Sequence, residues 1–397
     1  MPQPNLGFHA NVRRSTALKF VLMIGVLSFF ADFTYEGSRS ILGPYLALLS
    51  ASATVVAIVG GAGELLGYAL RLVSGTMADR TGKFWPITII GYFVQLLSVP
   101  ALAFAPDWKT AALLIILERV GRATRNPPRD VMLSHAGKEL GLGWAFGLNE
   151  ALDQFGALLG PLAVAAVLAL RGSYRFAFAA LLIPAIVCLG LLLMARWLYP
   201  KPEEMETKLP NLQGRGLPRV FWIYLGGAAL VAAGYADFPL IGFHFQRAGR
   251  IPAEFVPVAY AIAMAASGIG SLALGRLFDK RGIGVLIPLT ITTALFAPLV
   301  FLGGRWSALI GTTLWGLGMG VHESLIPAAV APLVPQQRRA SAYGLFTAGY
   351  GIAWFLGSMP MGLIYERSVL ATVIFCLILQ LAAVPVFFVV RRQYHAP

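Results

Sequence analysis

Apolar runs of about 20 residues, each long enough to cross a bilayer as a helix, recur along the whole chain between short polar breaks. Twelve are predicted, at 17–38, 53–74, 84–104, 109–129, 143–169, 174–197, 220–245, 253–275, 284–303, 306–329, 340–364 and 368–390. The longest polar break, YPKPEEMETKLPNLQGRGLPRV, separates the sixth and seventh runs, and its prolines, glycines and charges mark a linker. The pattern predicts an all-α polytopic membrane protein with a six-helix unit over 1–197, a linker over 198–219 and a second six-helix unit over 220–397.

Composition agrees. Of 397 residues, 57% are hydrophobic and 12% charged, against the roughly one quarter charged that a water-facing surface needs. Mean hydropathy is +0.72. The net charge of +13 raises the question of a nucleic-acid partner, and the positions of Lys and Arg point away from it. With the N-terminus in the cytoplasm, ADRTGK, RATRNPPRD, the linker, FDKRG, PQQRR and the tail VVRRQYH all fall inside. That places about two-thirds of the basic residues on the cytoplasmic side, as the positive-inside rule expects. The charge is then a topology signal, with lipid headgroups as its further contact. The expected location is the plasma (inner) membrane, multi-pass, with both termini cytoplasmic. Cys188 and Cys376 sit in apolar runs without disulfide or metal-thiolate spacing, as packing or lipid-facing residues. The first run lacks a cleavage site and reads as a retained helix.

The two units repeat each other. GTMADRTGK (75–83) is matched by GRLFDKRG (275–282), AFGL (145–148) by AYGL (342–345), and ADFTYEG (31–37) by ADFPLIG (236–242). Three matches in register predict two pseudo-symmetric bundles of like orientation, the parallel-repeat plan of rocking transporters.

Gly75, Asp79, Arg80, Gly82 and Lys83 resemble the loop signature of the major facilitator superfamily, and Gly275, Asp279 and Lys280 its echo. Gly156, Gly160 and Pro161 resemble the Gly-x-x-x-Gly-Pro element of that superfamily's proton antiporters, and ERVGRATRNPPRDVMLS is similar to a bacterial branch of these carriers. The resemblance implies the major facilitator fold, alternating access, and a gating role for these residues. In mechanical terms, the glycines let spans two and eleven approach closely. Asp79 is placed to cap the start of span eleven, and Arg80 and Lys83 to pair with acids or lipid phosphate.

Charges inside a membrane cost several kcal/mol unless something there uses them. In LSFFADFTYEGSRS, Asp32 lies about fifteen residues into span one, which puts it in the outer half of the bilayer. Glu36 follows one turn later, and Asp237 takes the matching depth in span seven. Asp32, Tyr35, Glu36, Asp237, Glu118 and Arg119 are the candidate solute-lining residues. A helix-capping role is the alternative for the two aspartates, supported at Asp237 by the following Phe238-Pro239.

Glu64, Glu118, Arg119, Arg122, Glu150 and Asp153 are the candidates for proton coupling, with Arg71 and Arg125 nearer the cytoplasm. Rocking changes a carboxylate's burial and its arginine contacts, so it loads a proton on one face and releases it on the other. A static ion-paired network between spans two, four and five is the alternative. His322 and Glu323, near the cytoplasmic end of span ten, read as a gate contact, since helix neighbours point about 100° apart and make poor joint metal ligands. His244 is expected at the outer rim. Tyr235, Trp315 and Trp354 either stack on an amphipathic solute or simply pack.

The expected function is proton-coupled secondary transport, exporting a small cationic, zwitterionic or amphipathic solute by antiport, as a monomer whose partners are the solute, protons and lipid. Rival readings are an uptake symporter, a divalent-metal exporter using Asp32, Glu36, Asp237 and histidine, and, outside transport, a lipid scramblase. The chain carries no Gly-x-Ser-x-Gly, His-x-x-x-His or Walker A sequence, so neither catalysis nor ATP drive is expected, and no cofactor or metal site.

Overall fold

The computed structural model describes residues 6–200, 216–249, 251–335 and 338–394. The helices are α1 (Leu6–Leu48), α2 (Ala53–Thr81), α3 (Phe84–Ala101), α4 (Trp108–Leu140), α5 (Leu142–Arg171), α6 (Tyr174–Ala180), α7 (Leu182–Leu198), α8 (Arg219–Ala233), α9 (Phe238–Ala248), α10 (Val256–Arg281), α11 (Leu286–Ala294), α12 (Phe296–Phe301), α13 (Arg305–Gly320), α14 (Ile326–Ala328), α15 (Arg339–Arg367) and α16 (Val369–Tyr394). The described residues contain no strand.

Local chemistry sets where these helices stop and break. Residues 75–81 and 275–281, expected as loops, are the last turns of α2 and α10. Both helices then end on a glycine at positive φ, Gly82 at 66° and Gly282 at 64°, a conformation an L side chain resists. The sixth and ninth runs each break one turn ahead of a proline. Pro184 and Pro298 crowd the carbonyls of Ala180 and Ala294, where α6 and α11 end.

The seventh run, expected to be continuous, is interrupted at Gly234–Asp237. Bare backbone inside a membrane needs partners, and it has them. Gln380 donates to the Gly234 carbonyl at 3.2 Å, and the Trp315 indole to that of Ala236 at 2.8 Å. Asp237 caps α9 by accepting from Phe238 N at 2.9 Å, and Pro239 sits in its first turn.

Two helices outrun their expected limits. The first span runs over Ser15–Leu48, so Asp32 lies near its middle and not in the outer half. α4 continues through Pro127-Pro128 to Leu140, so RATRNPPRD is helix, and Arg125 is mid-helix instead of near a cytoplasmic end. Eight helical stretches among the described residues are long and apolar enough to cross a membrane; this criterion does not establish the expected twelve. α4 fails it because Glu118, Arg119, Arg122 and Arg125 crowd its centre. The linker residues 201–215 lie outside the described residues.

The chain alternates between two ends. One, the Ser50 end, carries the turns near residues 50, 105, 172, 250, 303 and 368; the other, the Gly82 end, those near 82, 141 and 283. Lipid tails give apolar helices little reason to associate, so close packing depends on small residues. α1 and α5 touch backbone to backbone at Gly156 and Gly160, where a Cβ would stand 2.3 Å from Phe29 O and 2.1 Å from Phe33 O.

The first and second halves of the chain meet closely toward the Ser50 end. A Cβ on Gly43 would stand 1.9 Å from Pro239 O, and one on Gly61 2.7 Å from Ser358 Cβ. There the halves share one apolar core, with Ile41, Tyr45 and Leu46 packed into the same cluster as Phe243, Val256 and Met361. Toward the Gly82 end a separate core, including Phe20, Trp85, Met132 and Leu192, is drawn from the first half alone. Cys188 and Cys376 are buried packing residues.

Candidate functional site

Asp32, Tyr35, Glu36 and Arg39 recur every three or four residues along α1 and so share a face. Arg119, Arg122 and Arg125 do the same on α4. The two faces meet α2, α9 and α10 in one buried polar cluster. Asp32 lies between Arg122 and Arg125, at 3.7 and 3.5 Å. Arg125 is only 1% exposed. It is further held by Gln95 and by the Tyr92 hydroxyl, to which it donates at 2.9 Å.

Tyr35 is ringed by guanidinium groups. Arg122 Cζ lies 4.0 Å from its ring centroid and Arg119 Cζ 4.9 Å, cation–π distances. Its hydroxyl accepts from Arg119 and, at 3.3 Å, from Arg39. Glu64 on α2 accepts from Arg39 at 3.3 Å and pairs with Arg119 at 3.3 Å. Glu118 pairs with Arg119 through one oxygen at 3.6 Å, while its other oxygen is buried with no hydrogen-bond partner.

Two contacts cross between the halves at this depth. Arg39 donates to Asp237 at 2.6 Å, and the Tyr260 hydroxyl to Glu36 at 2.5 Å. Nearer the Ser50 end, Thr54 N donates to Glu366 at 2.9 Å, and the Tyr174 hydroxyl to Gln246 at 3.2 Å.

Other candidates stand elsewhere. Glu150 is exposed and accepts from Gln154 at 3.0 Å; Asp153 accepts from Asn149 at 3.2 Å. Both bonds follow the helical spacing of LNEALDQF, but neither acid forms an ion pair with the arginines. His322 is buried, 2.7 Å from the Tyr350 hydroxyl and tilted at 46° to the Tyr235 ring, 4.1 Å away between centroids, whereas Glu323 is exposed. The two diverge, as helix neighbours must, and they occupy a π-helical turn over Val321–Leu325.

Tyr235, Trp315 and Trp354 are buried and packed on one another. His244 is buried at 3% exposure, 2.7 Å from the Tyr365 hydroxyl and one turn from the end of α9. Arg80, Lys83, Asp279 and Lys280 are exposed; the Asp79 side chain lies outside the described residues. Among the described residues a Cβ at Gly75 would meet only Pro127, at 3.5 Å and within the first half, so the close approach of α2 and α15 is made at Gly61 and Gly351 instead.

Sequence reasoning missed Arg39, Arg129 and Tyr260. Arg39 lies past the expected end of span one, although the apolar run resumes as ILGPYLALL and carries the helix to Leu48. That resumption was the available signal. Arg129 was placed in a loop, but it donates to Ser28 at 3.0 Å and pairs with Asp130 at 2.7 Å. A tyrosine in an apolar helix carries no comparable signal.

The described helices meet at a buried charge cluster, and a family model for the Major Facilitator Superfamily matches residues 24–358. The chain belongs to the major facilitator superfamily. A Mycobacterium tuberculosis relative, an uncharacterized protein, is 41% identical over 390 residues, covering 96% of this chain and 95% of that one. An uncharacterized MFS-type transporter of Methanocaldococcus jannaschii is 25% identical over 362 residues, 88% of this chain and 89% of that one. The crystal structure of the nucleoside transporter NupG shares the fold, with a TM-score of 0.76 at 14% identity, over 95% of this chain and 100% of that one. As a superfamily member the chain is an all-α, multi-pass membrane transporter of a small solute by secondary transport, and not an enzyme.

Proposed function

We propose that the chain is a proton-coupled transporter of the plasma membrane, working by alternating access as the units 1–197 and 220–397 rock about the polar cluster. One observation carries this reading: toward the Ser50 end the halves share a core and a polar clasp, while toward the Gly82 end the first half keeps a core of its own. With both termini in the cytoplasm, the Gly82 end faces inward and this conformation is closed to the outside.

Opening the Ser50 end separates Arg39 from Asp237 and Tyr260 from Glu36. The carboxylates so released neutralise by taking up protons from the side that has opened. Glu118, with a buried oxygen lacking a donor, is the further place for a proton. Export by antiport follows the resemblance of Gly156, Gly160 and Pro161.

Cationic, zwitterionic and amphipathic solutes were all expected. In the folded chain Asp32, Glu64 and Asp237 each face arginine and Glu36 faces Tyr260, so a zwitterionic or amphipathic solute fits better. For a metal exporter Asp32, Glu36 and Asp237 would have to converge. They hold separate partners instead, and no group of three His, Cys, Asp or Glu among the described residues is placed to hold a metal ion.

Spin-label distances across each end, recorded in lipid at low and neutral pH, test the reading. The two ends should change reciprocally with pH, and Asp237→Asn with Glu36→Gln should abolish the response. Ends that move together, or ignore pH, would refute it; lipid exchange between leaflets without any ΔpH dependence would favour the scramblase.

A further inference from the structure

Arg71 stands apart from the matched charges. Among the described residues it makes no ion pair. Its guanidinium lies 5.6 Å from the Tyr68 ring centroid, and its Nε is buried with no hydrogen-bond partner. Arg71 borders a cavity of about 30 Å³ between α2 and α4, together with Glu64, Gly67, Tyr68, Arg119 and Arg122. Arg122 Nε is likewise buried and unpartnered, and its 3.7 Å contact with Asp32 exceeds hydrogen-bond range. The lining thus sets three guanidiniums against one carboxylate, and Arg39 and Arg119 already hold that carboxylate, Glu64. Both side chains are half-buried, a charge inside a membrane is costly without a partner at hydrogen-bond distance, and the arginine fork matches the oxygens of a carboxylate or phosphate. Gly67 leaves room, since a Cβ there would meet nothing within 4 Å.

We propose that Arg71 and Arg122 form an oxyanion subsite that receives the carboxylate or phosphate end of the transported solute. Its use in transport rests on the reading above; its binding chemistry does not. The subsite complements a zwitterionic or amphipathic solute by holding the anionic end at α2 and α4.

The full chain in dodecyl maltoside micelles, which carry no phosphate, is titrated with sodium phosphate, and with sodium chloride at matched ionic strength, while its thermal unfolding midpoint is followed. Phosphate should raise the midpoint saturably and chloride should not. Arg71→Gln should raise the half-saturating concentration about tenfold or more, as loss of charge-assisted hydrogen bonds implies, and Arg71→Lys should recover part of it. Gly67→Asp keeps both arginines and supplies a carboxylate one turn from Arg71; it should fold and lose the phosphate response.

A parallel arm adds phosphatidylglycerol to the micelles without phosphate. A response confined to that arm, and lost in Gly67→Asp, supports the subsite with a lipid headgroup as its oxyanion. No response in either arm, or one unchanged in Arg71→Gln and Gly67→Asp, overturns the subsite. Reciprocal movement of the two ends in Arg71→Gln would show that the transporter reading survives such a failure.

Discussion

Arg39 and Asp237, 198 positions apart in sequence, meet at 2.6 Å where the two halves of the chain close on each other. Arg39 is 4% exposed and Asp237 5%. Removing one partner of a buried pair costs about 3–5 kcal/mol, here moderated by Glu64, which stays 3.3 Å from Arg39. Asp237→Asn should therefore shift the population toward a conformation open at the Ser50 end. Arg39→Gln combined with Asp237→Asn should cost less than the sum of the single changes, because neither then leaves an orphan charge. Spin-label distances across the Ser50 end and chemical unfolding in micelles measure the two effects; strict additivity would show that the contact is incidental.

Tyr260 and Glu36 make the second crossing, at 2.5 Å. Tyr260→Phe keeps the ring against Phe238, 4.3 Å away between centroids, and removes only the donor. A hydrogen bond to a charged group contributes about 1.5–3 kcal/mol, so the variant should fold, keep its apolar packing and open at the Ser50 end more readily. It should also weaken the pH response of that opening, since Glu36 would no longer change partner between states. An unchanged pH profile with unchanged opening would remove Glu36 from the coupling scheme.

Helical class, the repeat and the residue types of the cluster were legible because apolar runs, matched motifs and carboxylates inside such runs are local signals. The limits of α1 and α4 were not. Arg39 was placed past the end of span one, and Arg125 and Arg129 toward the cytoplasmic end of span four, whereas they stay inside because the bundle supplies Asp237, Asp32 and Ser28. Partner choice across the halves depends on how α1 lies against α9 and α10, a relation no window of sequence contains. Glu150 and Asp153 mark a further limit: their helical spacing was legible, yet among the described residues neither stands within ion-pair distance of an arginine.

Glycine positions separate gating from packing. Gly160→Ala places a Cβ 2.1 Å from Phe33 O inside the first half, where backbone cannot yield, and overpacking of this kind costs about 1–3 kcal/mol. Its effect should be lower stability in every conformation. Gly43→Ala places a Cβ 1.9 Å from Pro239 O across the halves, and opening the Ser50 end relieves the clash. It should trap the open form with little loss of unfolding resistance. Gly275→Ala meets nothing within 4 Å and lies inside α10, so it should be neutral or stabilise by up to about 1 kcal/mol through helix propensity. Unfolding midpoints and label distances on the three variants distinguish these outcomes; a collapse of stability in Gly43→Ala would place that contact in the folding core instead of the gate.

The outermost crossing between the halves holds a titratable group. Glu366, at the end of α15, accepts from Thr54 N at 2.9 Å, beside Ser52, which caps the start of α2. The nearby Thr54 side chain, and then the hydrogen bond from its N–H, hold the Glu366 carboxyl below its ordinary value of 4.5. A depressed carboxyl contributes to the closed end above that ordinary value and loses its contribution as pH falls through the depressed one. Acidifying the Ser50 side from about pH 6 to pH 3 should therefore loosen this end in the native chain, while Glu366→Gln should be loosened already and flat over the same window. Asp107 is the control. Its carboxyl is also held low, by Thr110, but that bond lies within the first half, so Asp107→Asn should leave the profile unchanged. Labels at the exposed Leu48 and Phe255 report the separation. Identical curves for the native chain and Glu366→Gln would mean that the Thr54 contact plays no part in holding the two halves together.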